Sequence, residues 1–144
     1  MKAVLDASVF IARFIERDAA HEESMRAIEA CRANEAKIFG PAILPAEVAG
    51  AISRIKASES AASLALLHLR TYSWLTVCTA DTAFIEKAAR LAARHALRGA
   101  DAFYLAVAAE QKCPLITLDG ELLTRAPSSV KVLRPAEWLA TLRR

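Results

Sequence analysis

The chain has 144 residues, 55% hydrophobic and 24% charged, with only four Gly and five Pro, which describes one compact, helix-rich domain and excludes a disordered or low-complexity polypeptide. Nineteen Lys and Arg against sixteen Asp and Glu give a formal net charge of +3. No stretch approaches the roughly 18 consecutive apolar residues of a spanning helix, so a soluble protein with no membrane partner is expected.

Asp6 interrupts the N-terminus before the apolar region of a cleaved leader could form. The three widely spaced cysteines, Cys31, Cys78 and Cys113, suit thiols in a reducing compartment, so the expected location is cytoplasmic. No Cys-x-x-Cys occurs, and His21, His68 and His95 stand too far apart to suggest a zinc site.

Taken in order, residues 3–5, with Lys2, form a short apolar strand ending on Asp6, where the chain turns into a helix over about 7–14. Ser8 is a second polar group at that turn. An amphipathic helix follows over about 21–33, with Met25, Ile28 and Cys31 on one stripe. Residues 37–40 are a brief strand, and Pro41 and Pro45 suit a loop entering a helix over about 45–57. That helix carries Glu47, the only charged residue between Lys37 and Arg54. The next helix, about 59–70, holds Leu64, Leu66, Leu67 and Leu69, too many for a narrow stripe, so it is expected to be covered on several sides. A strand over 74–79 leads to a helix reaching about His95, capped by Asp81 or Thr82.

The stretch from Arg98 to Asp119 reads as turn, helix, strand and acid. Gly99 breaks the preceding pattern, Asp101 opens an almost wholly apolar helix, Pro114 stops it, and a buried strand over 115–118 ends on Asp119. A short turn or helix over 120–124, a last strand over 130–133 and a terminal helix over 135–142 complete the chain. Short apolar strands alternating with helices argue an α/β fold, a parallel sheet with helices on both faces. In such a sheet all strand C-termini share one edge, so Asp6 and Asp119 can meet there, with Glu47 and Asp101 brought in by helices.

Each acid alone has an ordinary explanation: Asp6 and Asp101 as helix N-caps, Glu47 as an exposed helix residue, Asp119-Gly120 as a turn. Together they are read as four carboxylates in apolar surroundings without paired cations, an arrangement that is costly and self-repelling unless a cation compensates. Mg²⁺ or Mn²⁺ is the hard, oxygen-preferring ion such a set would favour. Setting these four aside leaves twelve acids against nineteen bases, a basic body around an acidic pocket, as suits a polyanionic substrate. Arg13, Arg98, Arg125 and Arg134, near element ends, are candidate phosphate contacts. A metal-free acidic pocket that docks a basic peptide, a non-catalytic binding module, is the reading from another class.

Four segments carry a family resemblance: Val4-Leu5-Asp6-Ala7-Ser8, Pro45-Ala46-Glu47-Val48, Gly99-Ala100-Asp101-Ala102-Phe103-Tyr104-Leu105-Ala106 and Leu115-Ile116-Thr117-Leu118-Asp119. In order and spacing they resemble PIN-domain nucleases, and among these the small VapC-type toxins of toxin-antitoxin pairs. The resemblance implies a single three-layer α/β/α domain over the whole chain and a Mg²⁺- or Mn²⁺-dependent endoribonuclease. It carries the acidic roles onto Asp6, Glu47, Asp101 and Asp119, with Ser8 and Thr117 as hydroxyl helpers. It further implies RNA as substrate, a small antitoxin protein as partner and a homodimer. A PIN-type role in RNA processing is the alternative within the same chemistry.

Overall fold

The computed structural model describes residues 1–142 and contains five strands and eight helices among them. The chain runs β1 (Lys2–Leu5), α1 (Ala7–Phe14), α2 (His21–Ala33), β2 (Lys37–Pro41), α3 (Leu44–Lys56), α4 (Glu59–Thr71) and β3 (Leu75–Cys78). It continues through α5 (Thr82–His95), α6 (Gly99–Gln111), β4 (Leu115–Ile116), α7 (Gly120–Arg125), β5 (Val132–Leu133) and α8 (Pro135–Thr141). All strand pairs are parallel, in the order β3-β2-β1-β4-β5. None of the described helices is long and apolar enough to cross a membrane.

The order of the strands follows from the handedness of parallel crossovers. Successive right-handed connections carry the chain outward from β1 to β2 to β3 with α1–α4 on one face. The connection through α5 and α6 then returns it along the other face to β4, on the opposite side of β1. The result is a three-layer α/β/α sandwich whose chain direction reverses between β1 and β4, the position at which open α/β sheets form a ligand crevice.

The central strand has both faces covered, and Ala3, Val4 and Leu5 are accordingly fully buried. Against it lies α6, whose Ala102, Tyr104, Leu105, Ala106, Val107 and Ala108 are all buried. A helix apolar nearly all round belongs inside the molecule, and its place there fixes where its one buried acid, Asp101, must stand.

Some boundaries differ from expectation. The third strand is Leu75–Cys78, the fourth stops at Ile116 and the fifth is only Val132–Leu133, because the sheet narrows to two-residue ladders beyond β1. The covered leucine helix is a further correction. Leu69 is buried, but Leu64 and Leu67 stand 56% and 57% exposed, since α4 packs chiefly on α3 and no other element among the described residues covers its outer side.

Close approach requires glycine at position 40. A Cβ there would lie 2.4 Å from Leu44 Cδ2, and Leu44 is fully buried at the start of the helix that carries Glu47. Gly40→Ala is therefore expected to cost about 1–3 kcal/mol through overpacking. Denaturant titration checks this; an unchanged midpoint would contradict it.

Candidate metal centre

Asp6 follows β1 and caps α1, with a backbone φ of −70° and ψ of 152° that places it outside the helix. Its side chain is 5% exposed and draws all its donors onto one oxygen. Ser8 Oγ donates to Oδ2 at 2.5 Å, Thr117 Oγ1 donates to the same atom at 2.9 Å, and the Ser8 amide lies 3.3 Å from it. Both hydroxyls are themselves aimed by the segment after β4: the Leu118 amide donates to Ser8 Oγ at 3.1 Å and the Asp119 amide to Thr117 Oγ1 at 3.0 Å.

Two relays thus tie the end of β4 to Oδ2, while Oδ1 receives no hydrogen bond from the described residues. Ser24 Oγ is the one fully buried, unpartnered polar side-chain atom among those residues, so Oδ1 of Asp6 is not wholly sealed from solvent.

Glu47 stands in the first turn of α3 behind Pro45, half-buried, and its Oε2 accepts from Tyr104 Oη at 2.5 Å. Tyr104 is fully buried on α6. Sequence reasoning did not single it out; the signal was its position one helical turn after Asp101, on the same face. Asp101 lies in the first turn of α6, which starts at Gly99, so the N-cap is Arg98 and the acid is not itself the cap. It is 7% exposed.

The expectation of acids without cations fails at Asp101 and Asp119. Arg98 Nε donates to Asp101 Oδ2 at 2.8 Å, and Arg98 Nη2 donates to Asp119 Oδ2 at 2.5 Å. The first pair was legible as an i, i+3 spacing. The second joins the start of α6 to the segment after β4 and depends on the helix packing back along that strand. Asp119 also caps α7, its Oδ1 accepting from the amides of Glu121 at 2.8 Å and Leu122 at 3.1 Å.

Burial pushes Asp6 above the ordinary carboxylate range, with the Ser8 and Thr117 hydrogen bonds opposing and Asp101 adding repulsion. Burial likewise raises Glu47 against the opposing Tyr104 hydrogen bond, with repulsion from Asp6 and Asp101. Asp101 is raised by burial too, although Arg98 pulls the other way. Burial opposes ionisation of Asp119 as well, but the Leu122 and Glu121 amides and Arg98 outweigh it and hold this acid below its usual value. Tyr104 stays a neutral donor, raised by burial and by the Asp6 and Glu47 charges.

These shifts fix a sign. An acid raised in the fold takes up protons on folding, so the contribution of Asp6, Glu47 and Asp101 to stability falls as pH rises from the ordinary carboxylate value through their raised ones. Asp119 acts oppositely, its contribution being lost as pH falls through its lowered value. With three acids against one, the chelated protein is expected to melt higher at about pH 5 than at about pH 8, and Mg²⁺ to narrow the difference. Thermal denaturation at both pH values checks this, and equal or reversed midpoints would contradict it.

The donor set suits a hard divalent ion. Asp6 Oδ1, Glu47 Oε1 and Asp101 Oδ1 accept no hydrogen bond from the described residues, and all three acids carry the penalty of charge without full compensation. As the side chains are arranged, no three His, Cys, Asp or Glu among the described residues stand close enough to hold an ion. Their charges nonetheless act on one another, and Arg98 supplies positive charge inside the group.

The other arginines divide. Arg134 lines a groove of about 610 Å³ beside the acids, together with Ser8, Asp18, Glu23 and Asp119. Arg125 is tied back, donating to the Ala96 carbonyl at 2.6 Å and pairing with Glu121 at 3.6 Å. Arg13 lies at the far end of α1 from Asp6, over the Phe14 ring, about 10 Å away at 1.5 Å per residue.

A sequence-family profile described as "PIN domain" matches residues 3–127. No curated protein sequence gives a significant match. Among solved structures, VapC20 of Mycobacterium tuberculosis, described as a sarcin-ricin loop cleaving toxin, superposes with a TM-score of 0.72 at 19% identity, covering 90% of this chain and 98% of its own. A toxin-antitoxin complex from Klebsiella pneumoniae gives 0.64 at 21% identity, covering 92% and 97%. VapBC2 of Rickettsia felis, bound to a DNA fragment from its promoter, gives 0.69 at 13% identity, covering 93% and 98%. At these identities the likeness is one of fold.

Proposed function

Because the chain belongs to the PIN domain family, whose profile spans residues 3–127, we propose that it is a Mg²⁺- or Mn²⁺-dependent endoribonuclease, the toxin of a toxin-antitoxin pair acting in the cytoplasm. The observation that carries this reading is Asp6. A buried carboxylate with every donor on Oδ2 leaves Oδ1 available to a cation, and Glu47 and Asp101 each keep one oxygen that accepts no hydrogen bond from the described residues.

Asp6, Glu47 and Asp101 would hold the ion, with Asp119 at the rim. What an ion held there would supply is Lewis acidity, lowering the pKa of a water and offsetting charge on the scissile phosphate. The protein's part is placement. Ser8 and Thr117 fix the Asp6 rotamer, Tyr104 fixes Glu47, and the groove past Ser8 and Arg134 gives an RNA strand a path to the acids. Buried, mutually repelling carboxylates favour a cation that discharges them. No protein nucleophile is required.

The partner reading rests on apolar surface. Ile55, Leu64, Leu67 and Val77 are 43–57% exposed on α3, α4 and the edge strand β3, beside a cavity of about 350 Å³ lined by Ala49, Leu66, Leu69 and Tyr72. Such surface suits a second copy of the chain and an antitoxin peptide. A chain that stays monomeric and co-purifies with no product of a neighbouring gene would count against both.

Sequencing RNA ends after brief expression, with Asp101→Asn in parallel, tests the activity. New ends at discrete sites in the wild type alone support it; identical profiles contradict it.

A further inference from the structure

We infer that Arg54, on α3, is a phosphate contact for the RNA strand on the side of the acids opposite Arg134, so that a strand crossing the sheet edge meets one arginine before the acids and another after them. The inference rests on the ribonuclease reading and adds to it a substrate residue outside the four acids.

Two grooves meet at the acids. One is lined by Ser8, Asp119 and Arg134; the other, of about 370 Å³, is lined by Glu47 and Arg54, and Ile11 of α1 borders both. Their order along the edge follows from the sheet. The helix α3 comes after β2, Asp6 follows β1, Asp119 comes after β4 and Arg134 follows β5, and these four strands stand side by side in that order. The grooves therefore lie on either side of Asp6, with an arginine in each.

Arg54 stands about two helical turns after Glu47 on the same face of α3. Long helical side chains lean back toward the helix N-terminus, and this one does: a Cβ on Gly50, one turn earlier, would lie 3.2 Å from Arg54 Nη1. The guanidinium thus lies on the Glu47 side of its own Cα, in space left by a residue with no side chain. Arg54 is exposed and enters no salt bridge among the described residues, whereas Arg98 and Arg125 are each held by carboxylates. A guanidinium that shares a groove with Glu47 without pairing to it keeps its donors for a ligand, and its planar fork matches the two free oxygens of a phosphodiester. About 10 Å of helix, at 1.5 Å per residue, separates the two Cα positions, so the contact falls on a phosphate flanking the scissile one and not on the reacting group.

Fluorescence anisotropy of a short labelled single-stranded RNA on the full chain, with Ca²⁺ in place of Mg²⁺ and across a series of salt concentrations, tests this apart from cleavage. Arg54→Gln is expected to weaken binding about fivefold and to make the slope of log K against log salt shallower by about 0.7, the share of one phosphate on a single strand. Arg54→Lys keeps the charge and is expected to restore the slope. Lys56→Gln removes an equal charge from the same turn of α3 but on another face, and is expected to stay within about twofold of wild type with the wild-type slope. In cleavage assays the Arg54→Gln defect is expected in KM, with kcat nearly unchanged. Wild-type affinity and slope in Arg54→Gln, an equal loss in Lys56→Gln, or a defect confined to kcat would overturn the assignment. A wild-type chain that binds no RNA overturns the ribonuclease reading along with it, whereas RNA binding that is indifferent to Arg54→Gln overturns the Arg54 contact alone.

Discussion

Asp6→Asn is expected to lower RNA cleavage by about a thousandfold with the fold intact. The size follows from what the residue would hold: roughly 4 kcal/mol of charge stabilisation from a divalent ion corresponds to about three decades in rate. Asparagine keeps the shape of the side chain and one oxygen, so the N-cap of α1 survives at a cost of a few tenths of a kcal/mol. It removes the anion, and with it the reason for a cation to bind. The Ser8 and Thr117 hydroxyls can still donate to the amide oxygen, which then turns an NH₂ toward the crevice where Oδ1 stood. Cleavage assays on variants with matched circular dichroism check this, and a variant retaining a tenth of wild-type activity would contradict it.

Tyr104→Phe is expected to lower cleavage by about 10–100-fold, the usual cost of removing a group that orients a metal ligand. The phenol is fully buried and donates to Glu47 Oε2 across the α3–α6 boundary. Phenylalanine fills nearly the same volume, so packing of α6 on the sheet is kept. Glu47 is only half-buried and can recover a partner from water, which limits the stability cost, but its rotamer is no longer held. The discriminating observation is a loss of metal affinity with little change in melting temperature. A large fall in stability with unaltered metal affinity would make Tyr104 a packing residue alone.

Much of the architecture was readable because the elements carry their own punctuation. Asp6 stands directly after β1 and Asp119 three residues past the end of β4, and each caps the next helix, so their placement on one sheet edge follows from α/β alternation. Glu47 was visible by charge isolation and Asp101 by its place at the start of an apolar helix.

Less legible was what depends on strands meeting. The Thr117–Asp6 hydrogen bond spans 111 residues and exists because β4 returns to lie beside β1, a pairing that no local pattern encodes. The Asp119–Arg98 bridge closes within the α6–β4 unit, where the start of the helix meets the segment after the strand, and Arg98–Asp101 lay in plain helical spacing. Arg13 shows the converse limit, since closeness to Asp6 in sequence carries it down a helix and away from the acids. The exposed Leu64 and Leu67 show that a leucine-rich helix reports apolar surface to be covered, not which chain covers it.

The central claim is that these acids make a metal-dependent ribonuclease. Its most direct test is incubation of the purified full chain with RNA, once in Mg²⁺ and once in excess chelator. Cleavage in Mg²⁺ that stops in chelator and returns when Mg²⁺ or Mn²⁺ is restored is the predicted result; equal cleavage in both, or none in either, would contradict it.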